Sequence, residues 1–204
     1  MGLFSILSFA LSSSGDNFII GLNYGIKKIK INNFMNLIVA SISCLGTILA
    51  MLLGNLISDL VSPKYSNIIG GLTLISFGLY MLITSIIKTN NNNISKQKTF
   101  KYFNLIDNPE LLDTNNSKTI DFKEAISLGI LLSLNNIGLG IGASIAGLNI
   151  VLTSFFSFLF SFLFIKIGFA IGGIFSFSKL SKVIEIVTSC MIILLGLYEL
   201  FFNN

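Results

Sequence analysis

Residues Ser12–Gly25 read SSSGDNFIIGLNYG. A carboxylate, Asp16, stands in the middle of the first long apolar stretch, with no charged side chain before it and Lys27 the next one after it. The surrounding chain is of membrane grade. Of 204 residues, 53% are hydrophobic and 11% charged, with a mean hydropathy of +0.85. A soluble domain carries about 25% charged residues, so this composition points to a polytopic membrane protein lying in a lipid bilayer. An ionisable group inside such a segment is costly, and functional use is the default hypothesis for it.

A spanning helix needs roughly 20 mostly apolar residues. Six segments qualify, at about 3–24, 35–57, 67–87, 123–146, 150–174 and 183–202. The fold class is therefore all-α with six transmembrane helices. The first run has no Lys or Arg before it and no small-residue cleavage pattern after it, so it reads as a retained spanning helix rather than a secretory signal. Connections are short except for residues 88–122, which open KTNNNNISKQK, a low-complexity tract expected to be solvated and mobile.

All thirteen basic residues are lysines, and their placement is asymmetric. Six spans put both termini on one side. The loops on the opposite side, with the start of the fourth span, hold eleven lysines, whereas the side of the termini holds only Lys64. Cytoplasmic loops collect Lys and Arg. Both termini are thus expected outside the cytoplasm of a cell-membrane protein, with the 88–122 loop inside. This asymmetry accounts for the formal charge of +4 with no nucleic-acid partner.

The chain repeats itself. SGDNFIIG (Ser14–Gly21) aligns with SLNNIGLG (Ser133–Gly140) at a spacing of 119 residues, and GLYMLI (Gly78–Ile83) aligns with GLYELF (Gly196–Phe201) at a spacing of 118. Each unit has three spans, residues 1–87 and 123–204 flanking the 88–122 loop. Three is odd, so the second copy enters the membrane from the opposite face. That is the inverted 3+3 repeat of many secondary transporters, whose sites lie near the bilayer midplane at the repeat interface.

Inverted entry brings the two polar motifs together. Ser14, Asp16, Asn17, Ser133, Asn135 and Asn136 offer hard oxygen donors, which suit Mg, Ca and Mn rather than Zn or Cu. Asp16 would supply charge and the others coordination. The alternative is that Asp16, protonated or hydrogen-bonded to Ser and Asn, only ties spans together; most Ser in these helices are expected to bond back to their own backbone. Lys166 is the other intramembrane charge, read either as snorkelling toward the cytoplasmic end of its span or as an ion-pair partner of Asp16. Glu185, Glu199 and Asp59 lie near span ends, where interfacial solvation is expected. Cys44 and Cys190 sit in apolar runs far from any C-x-x-C spacing and read as small core hydrophobes. The chain has no His, which removes the usual zinc ligand and general base, and no nucleophile–base set is visible in the spans. The reading is therefore not an enzyme.

The S-x-D-N-F pattern with its echo in the fourth span, the stretch NPELLDTNNSKTIDFKEAISLGILLSLNNIGLGIGAS and the paired G-L-Y motifs resemble the MntP-type manganese efflux family. Within it they resemble most the sporulation-membrane (YtaF) branch. The resemblance covers essentially the whole chain. It implies a LysE-like six-helix membrane fold, an intramembrane aspartate matched by Asp16, and Mn²⁺ as substrate. The second repeat departs from the family pattern: Asn135 stands where an aspartate is expected. One carboxylate holds a divalent cation less strongly than two. A non-transporting assembly or interaction protein of sporulation is accordingly the alternative to a divalent-cation transporter.

Residues Asp113–Glu124, DTNNSKTIDFKE, also match the EF-hand pattern at most ligand positions: Asp113, Asn115, Ser117, Thr119 through its carbonyl, Asp121 and Glu124. Such a loop would hold Ca²⁺ or another divalent cation. Lys118 occupies the position where the sharp turn calls for Gly. The favoured reading is instead a capping box, Asp121 with Glu124 three residues on, starting the fourth span.

Overall fold

A computed structural model describes residues 2–60, 63–90, 111–113, 115, 117–174 and 178–202. Among them the chain is all-helical apart from one isolated β-bridge. The helices are α1 (Leu3–Ser13), α2 (Gly15–Lys27), α3 (Asn33–Leu60), α4 (Pro63–Asn90), α5 (Phe122–Ile145), α6 (Ile150–Ile174) and α7 (Ser178–Phe202). With α1 and α2 taken together as Leu3–Lys27, six segments are long and apolar enough to cross a membrane. Large apolar side chains face outward along them, among them Leu49, Leu56, Val151, Phe155 and Leu194, as lipid-facing surface requires.

The first expected span is present as Leu3–Lys27, made of two helices hinged at Ser14. Of the expected 88–122 loop, residues 88–90 end α4 and residues 117–121 make defined contacts, while residues 91–110 and their lysines lie outside the described residues.

Helices pair in a fixed scheme. α2 packs on α6, α3 on α5 and α4 on α7, with α3 also touching α6 and α4 touching α5. Small residues set the closest approaches. A methyl added at Gly21 or Gly172 would overlap the carbonyl oxygen of Ile165 or of Leu22, so α2 and α6 meet backbone to backbone. On the other pair, a methyl at Gly54 would press on Ile141 O and one at Gly140 on Ala50 Cβ, at 2.5 and 2.8 Å. Lipid tails are as apolar as side chains, so such van der Waals contact between small residues is what drives helices together in a bilayer.

Two apolar clusters fill the interior. One joins Ile20, Tyr24, Ile29, Leu128, Leu132 and Ile165 with neighbours; the other joins Ile6, Phe9, Met51, Leu74, Leu139 and Ile192 with neighbours. Along the first segment they leave residues 10–19 between them, and along α5 residues 133–138. Both intervals hold the polar motifs.

Candidate functional site

The break in the first segment comes from its local sequence. Ser12 and Ser13 donate their hydroxyls to Ser8 O at 2.8 Å and Ala10 O at 3.3 Å, competing with the helical ladder. Ser14 leaves helical geometry at φ −93°, ψ 2°. Gly15 then lets the hinge abut α7, because any side chain there would run into Thr188. The new helix starts at Gly15, which places Asp16 in its first turn. Helix N-termini carry unpaired N–H groups and a partial positive charge, so a carboxylate is favoured there.

Asp16 Oδ2 accepts a hydrogen bond from Asn135 Nδ2 of α5. The equivalent positions of the two motifs therefore touch, in a partly buried setting. Their neighbours are more deeply buried. Asn17 and Asn136 are 1% and 4% exposed, and the amide oxygen of each has no hydrogen-bond partner among the described residues. Ser14 is buried. Ser133 is different: its hydroxyl goes to Ile130 O at 2.7 Å, so it is spent on its own helix. Lys166 and Asp59 stand apart from this contact. Lys166 is on the exposed face of α6 with Nζ 4.6 Å from the Phe162 ring centre, not beside Asp16. Asp59 is exposed as expected, but Glu199 is not at a wet interface: it is fully buried in α7.

α3 and α6 add polar groups that sequence reading passed over. Asn36 donates its amide to Phe162 O at 2.9 Å, and Cys44 donates to Ser154 O at 3.4 Å. The buried face of α6 consists of Thr153, Ser154, Ser157, Ser161, Ile165, Gly168 and Gly172. The signal was legible: four hydroxyls at helical spacing on one side, phenylalanines on the others. Apart from the Cys44 thiol these are amide and hydroxyl groups, and none of them adds charge. Among the described residues no group of three or more His, Cys, Asp or Glu could hold a metal ion, so the site lacks the charge density of a tight structural metal centre.

The 113–124 segment is built on its own hydrogen bonds. Asp113 accepts from the backbone N–H of Ser117 at 3.0 Å and of Lys118 at 2.9 Å. Asn115 donates to Asp121 Oδ2 at 2.8 Å, and the Ser117 hydroxyl to Thr119 O at the same length. Lys118 takes a left-handed φ of 56°, where glycine is preferred. Glu124 receives the Asp121 backbone N–H at 3.0 Å, completing a capping box at the start of α5. Lys30 bridges this segment, its N–H donating to Lys118 O and its carbonyl accepting from Ile120 N–H, which ties the α2–α3 loop to the entry of α5.

Comparison with known proteins gives two matches. Residues 1–82 match the family model described as "Mntp: Putative manganese efflux pump". Over 210 residues the chain is 28% identical to the "Probable sporulation protein YtaF" of Bacillus subtilis (strain 168), covering 98% of this chain and all of that protein. No solved structure matches.

Proposed function

We propose that the chain is a membrane transporter of a hard divalent cation, with Mn²⁺ as substrate, whose site is the Asp16–Asn135 centre. One observation carries this reading: the carboxylate of one motif is hydrogen-bonded to the amide of the other, between two apolar clusters. The family match to a manganese efflux pump supports the substrate. The clusters act as plugs on either side of a polar layer, as alternating access needs. Asn135 suits both states of the site. Its NH₂ satisfies the carboxylate when no cation is bound, and a half-turn of the amide presents its oxygen to an arriving cation.

The inverted repeat is part of the proposal. In its support, residues 119 apart change places between the two apolar clusters: Ile6 with Ala125, Phe9 with Leu128, Ile20 with Leu139, Tyr24 with Ala143 and Ile29 with Leu148. Helix contacts follow the same exchange. Gly172 meets the Leu22 carbonyl and Gly54 meets that of Ile141, one position each from the two units. The lysine distribution supports cytoplasmic placement of the α2–α3, α4–α5 and α6–α7 connections.

Metal-stress growth and cellular manganese content of a deletion strain, complemented with wild type or Asp16→Asn, test the reading. Wild type is expected to lower manganese content and Asp16→Asn to fail. Equal manganese tolerance and content in all strains would overturn transport. The second reading, a non-transporting sporulation component, is favoured by the single carboxylate and by the name of the relative; a sporulation defect rescued equally by Asp16→Asn would establish it.

A further inference from the structure

We propose that the buried face of α6 lines a hydrated passage, running from the Asp16–Asn135 centre toward the end of the bundle that carries residues 146–149, through which a partly hydrated cation moves. The cation rests on the reading above; the hydration does not. Thr153, Ser154, Ser157 and Ser161 are 0%, 4%, 5% and 1% exposed, and none of their hydroxyls has a hydrogen-bond partner among the described residues. Most other helix hydroxyls are spent on their own backbone, as at Ser12, Ser41, Thr47, Thr73, Ser76, Thr84, Ser127 and Thr188, with Ser5 of α1 a buried exception. Four unspent hydroxyls on one face are a different arrangement. A buried hydroxyl left unpaired costs about 1–3 kcal/mol, and buried polar groups of this kind are ordinarily met by water or an ion.

A second observation comes from other helices. Asn17 of α2, which packs on α6, has an unpaired amide oxygen, as does Asn136 of α5 beside Asn135. Orphaned oxygens thus come from three helices, two of them on residues next in sequence to Asp16 and Asn135. α6 is also polar on the inside and aromatic on the outside, its Phe155 being 58% exposed. That is the reverse of a helix packed for an apolar core, and it matches helices whose inner face meets water within a membrane. On the other half of the same face, Gly168 and Gly172 close on α2 with no room for a side chain. The passage is therefore shut toward that half, and at its other end the apolar cluster that includes Ala146 and Leu148, with Ile150 packed on it, is the plug that must part for it to open.

Native thiols make the test possible. Cys44 donates to Ser154 O and so sits beside this face, while Cys190 is exposed on α7. In Cys190→Ser protein in vesicles, a membrane-impermeant cationic methanethiosulfonate should modify Cys44. In a Cys44→Ser, Cys190→Ser background, Ser157→Cys should react roughly tenfold or more faster than Leu159→Cys, whose position faces outward, because thiolates form and react only where water reaches. An unreactive Cys44, or Ser157→Cys no faster than Leu159→Cys, overturns the passage. Mn²⁺ added to the reactive variants separates the two proposals: protection supports cation movement along this face, and fast labelling without protection keeps the water but refutes the cation.

Discussion

Exchanging the two polar partners tests whether they form one site. Asp16→Asn removes the Asp16 carboxylate while keeping its shape. A divalent cation about 4 Å from a carboxylate gains about 8 kcal/mol at an effective dielectric constant near 20. Several kcal/mol of that is offset by holding the ions out of water. A net loss of about 4 kcal/mol, roughly a thousandfold in Kd, is expected for Asp16→Asn. Adding Asn135→Asp returns one carboxylate and one amide to the same contact with the positions reversed. Binding should recover to within about tenfold of wild type, the shortfall being the helix-end stabilisation of roughly 1 kcal/mol that Asp16 enjoys and residue 135 does not. Mn²⁺ binding to purified protein, followed by electron paramagnetic resonance of the free ion, reads all three proteins, with thermal unfolding as the check on folding. A doubly exchanged protein as weak as Asp16→Asn, with unfolding unchanged, would refute a shared site.

Other outcomes follow from the same contacts. Asn135→Asp alone should tighten Mn²⁺ binding and make it strengthen more steeply as pH rises, since two adjacent carboxylates must lose their protons to the metal; titration at several pH values checks this. Gly172→Ala forces a methyl onto the Leu22 carbonyl, whereas Gly173→Ala meets nothing within 4 Å. The first should destabilise by about 1–3 kcal/mol, whereas the second should be neutral or stabilise by up to about 1 kcal/mol, measured as unfolding midpoints in detergent. Lys118→Gly relieves a left-handed lysine and should stabilise by about 1 kcal/mol, seen as a higher unfolding midpoint. Lys166→Leu should leave Mn²⁺ affinity within about twofold, because its ammonium faces Phe162 and the exterior.

Periodicity and hydropathy were enough for six spans because a bilayer permits few alternatives. The α6 boundaries coincide with the expected 150–174, and the other ends move by a few residues where polar caps extend a helix beyond its apolar run. The contact between Asp16 and Asn135 was also within reach of the sequence, since the two motifs align at a spacing of 119 residues. Burial of Glu199 was not: nearness to a span end says nothing about which face of α7 it occupies. Nor was the diversion of Ser133, whose hydroxyl chooses Ile130 O through a rotamer that sequence does not encode.

The hinge at Ser14 was the largest omission, and it explains an asymmetry that sequence comparison only displayed. The two motifs differ where the chain breaks: Ser14–Gly15–Asp16 faces Ser133–Leu134–Asn135. Gly15 fits against Thr188 only because it has no side chain, while Leu134 is 48% exposed on an unbroken α5. A break supplies a helix N-terminus and hence donors for a negative charge; a continuous helix has already committed its N–H groups to its own carbonyls. The carboxylate can therefore be carried on the broken segment, and an amide, which needs no such support, on the continuous one. On this argument the acid and the hinge belong together: Gly15→Leu, which should restore a continuous helix or expel α7, is expected to weaken Mn²⁺ binding even though Asp16 is untouched. Unchanged affinity in a folded Gly15→Leu protein would show that the hinge does not support the charge.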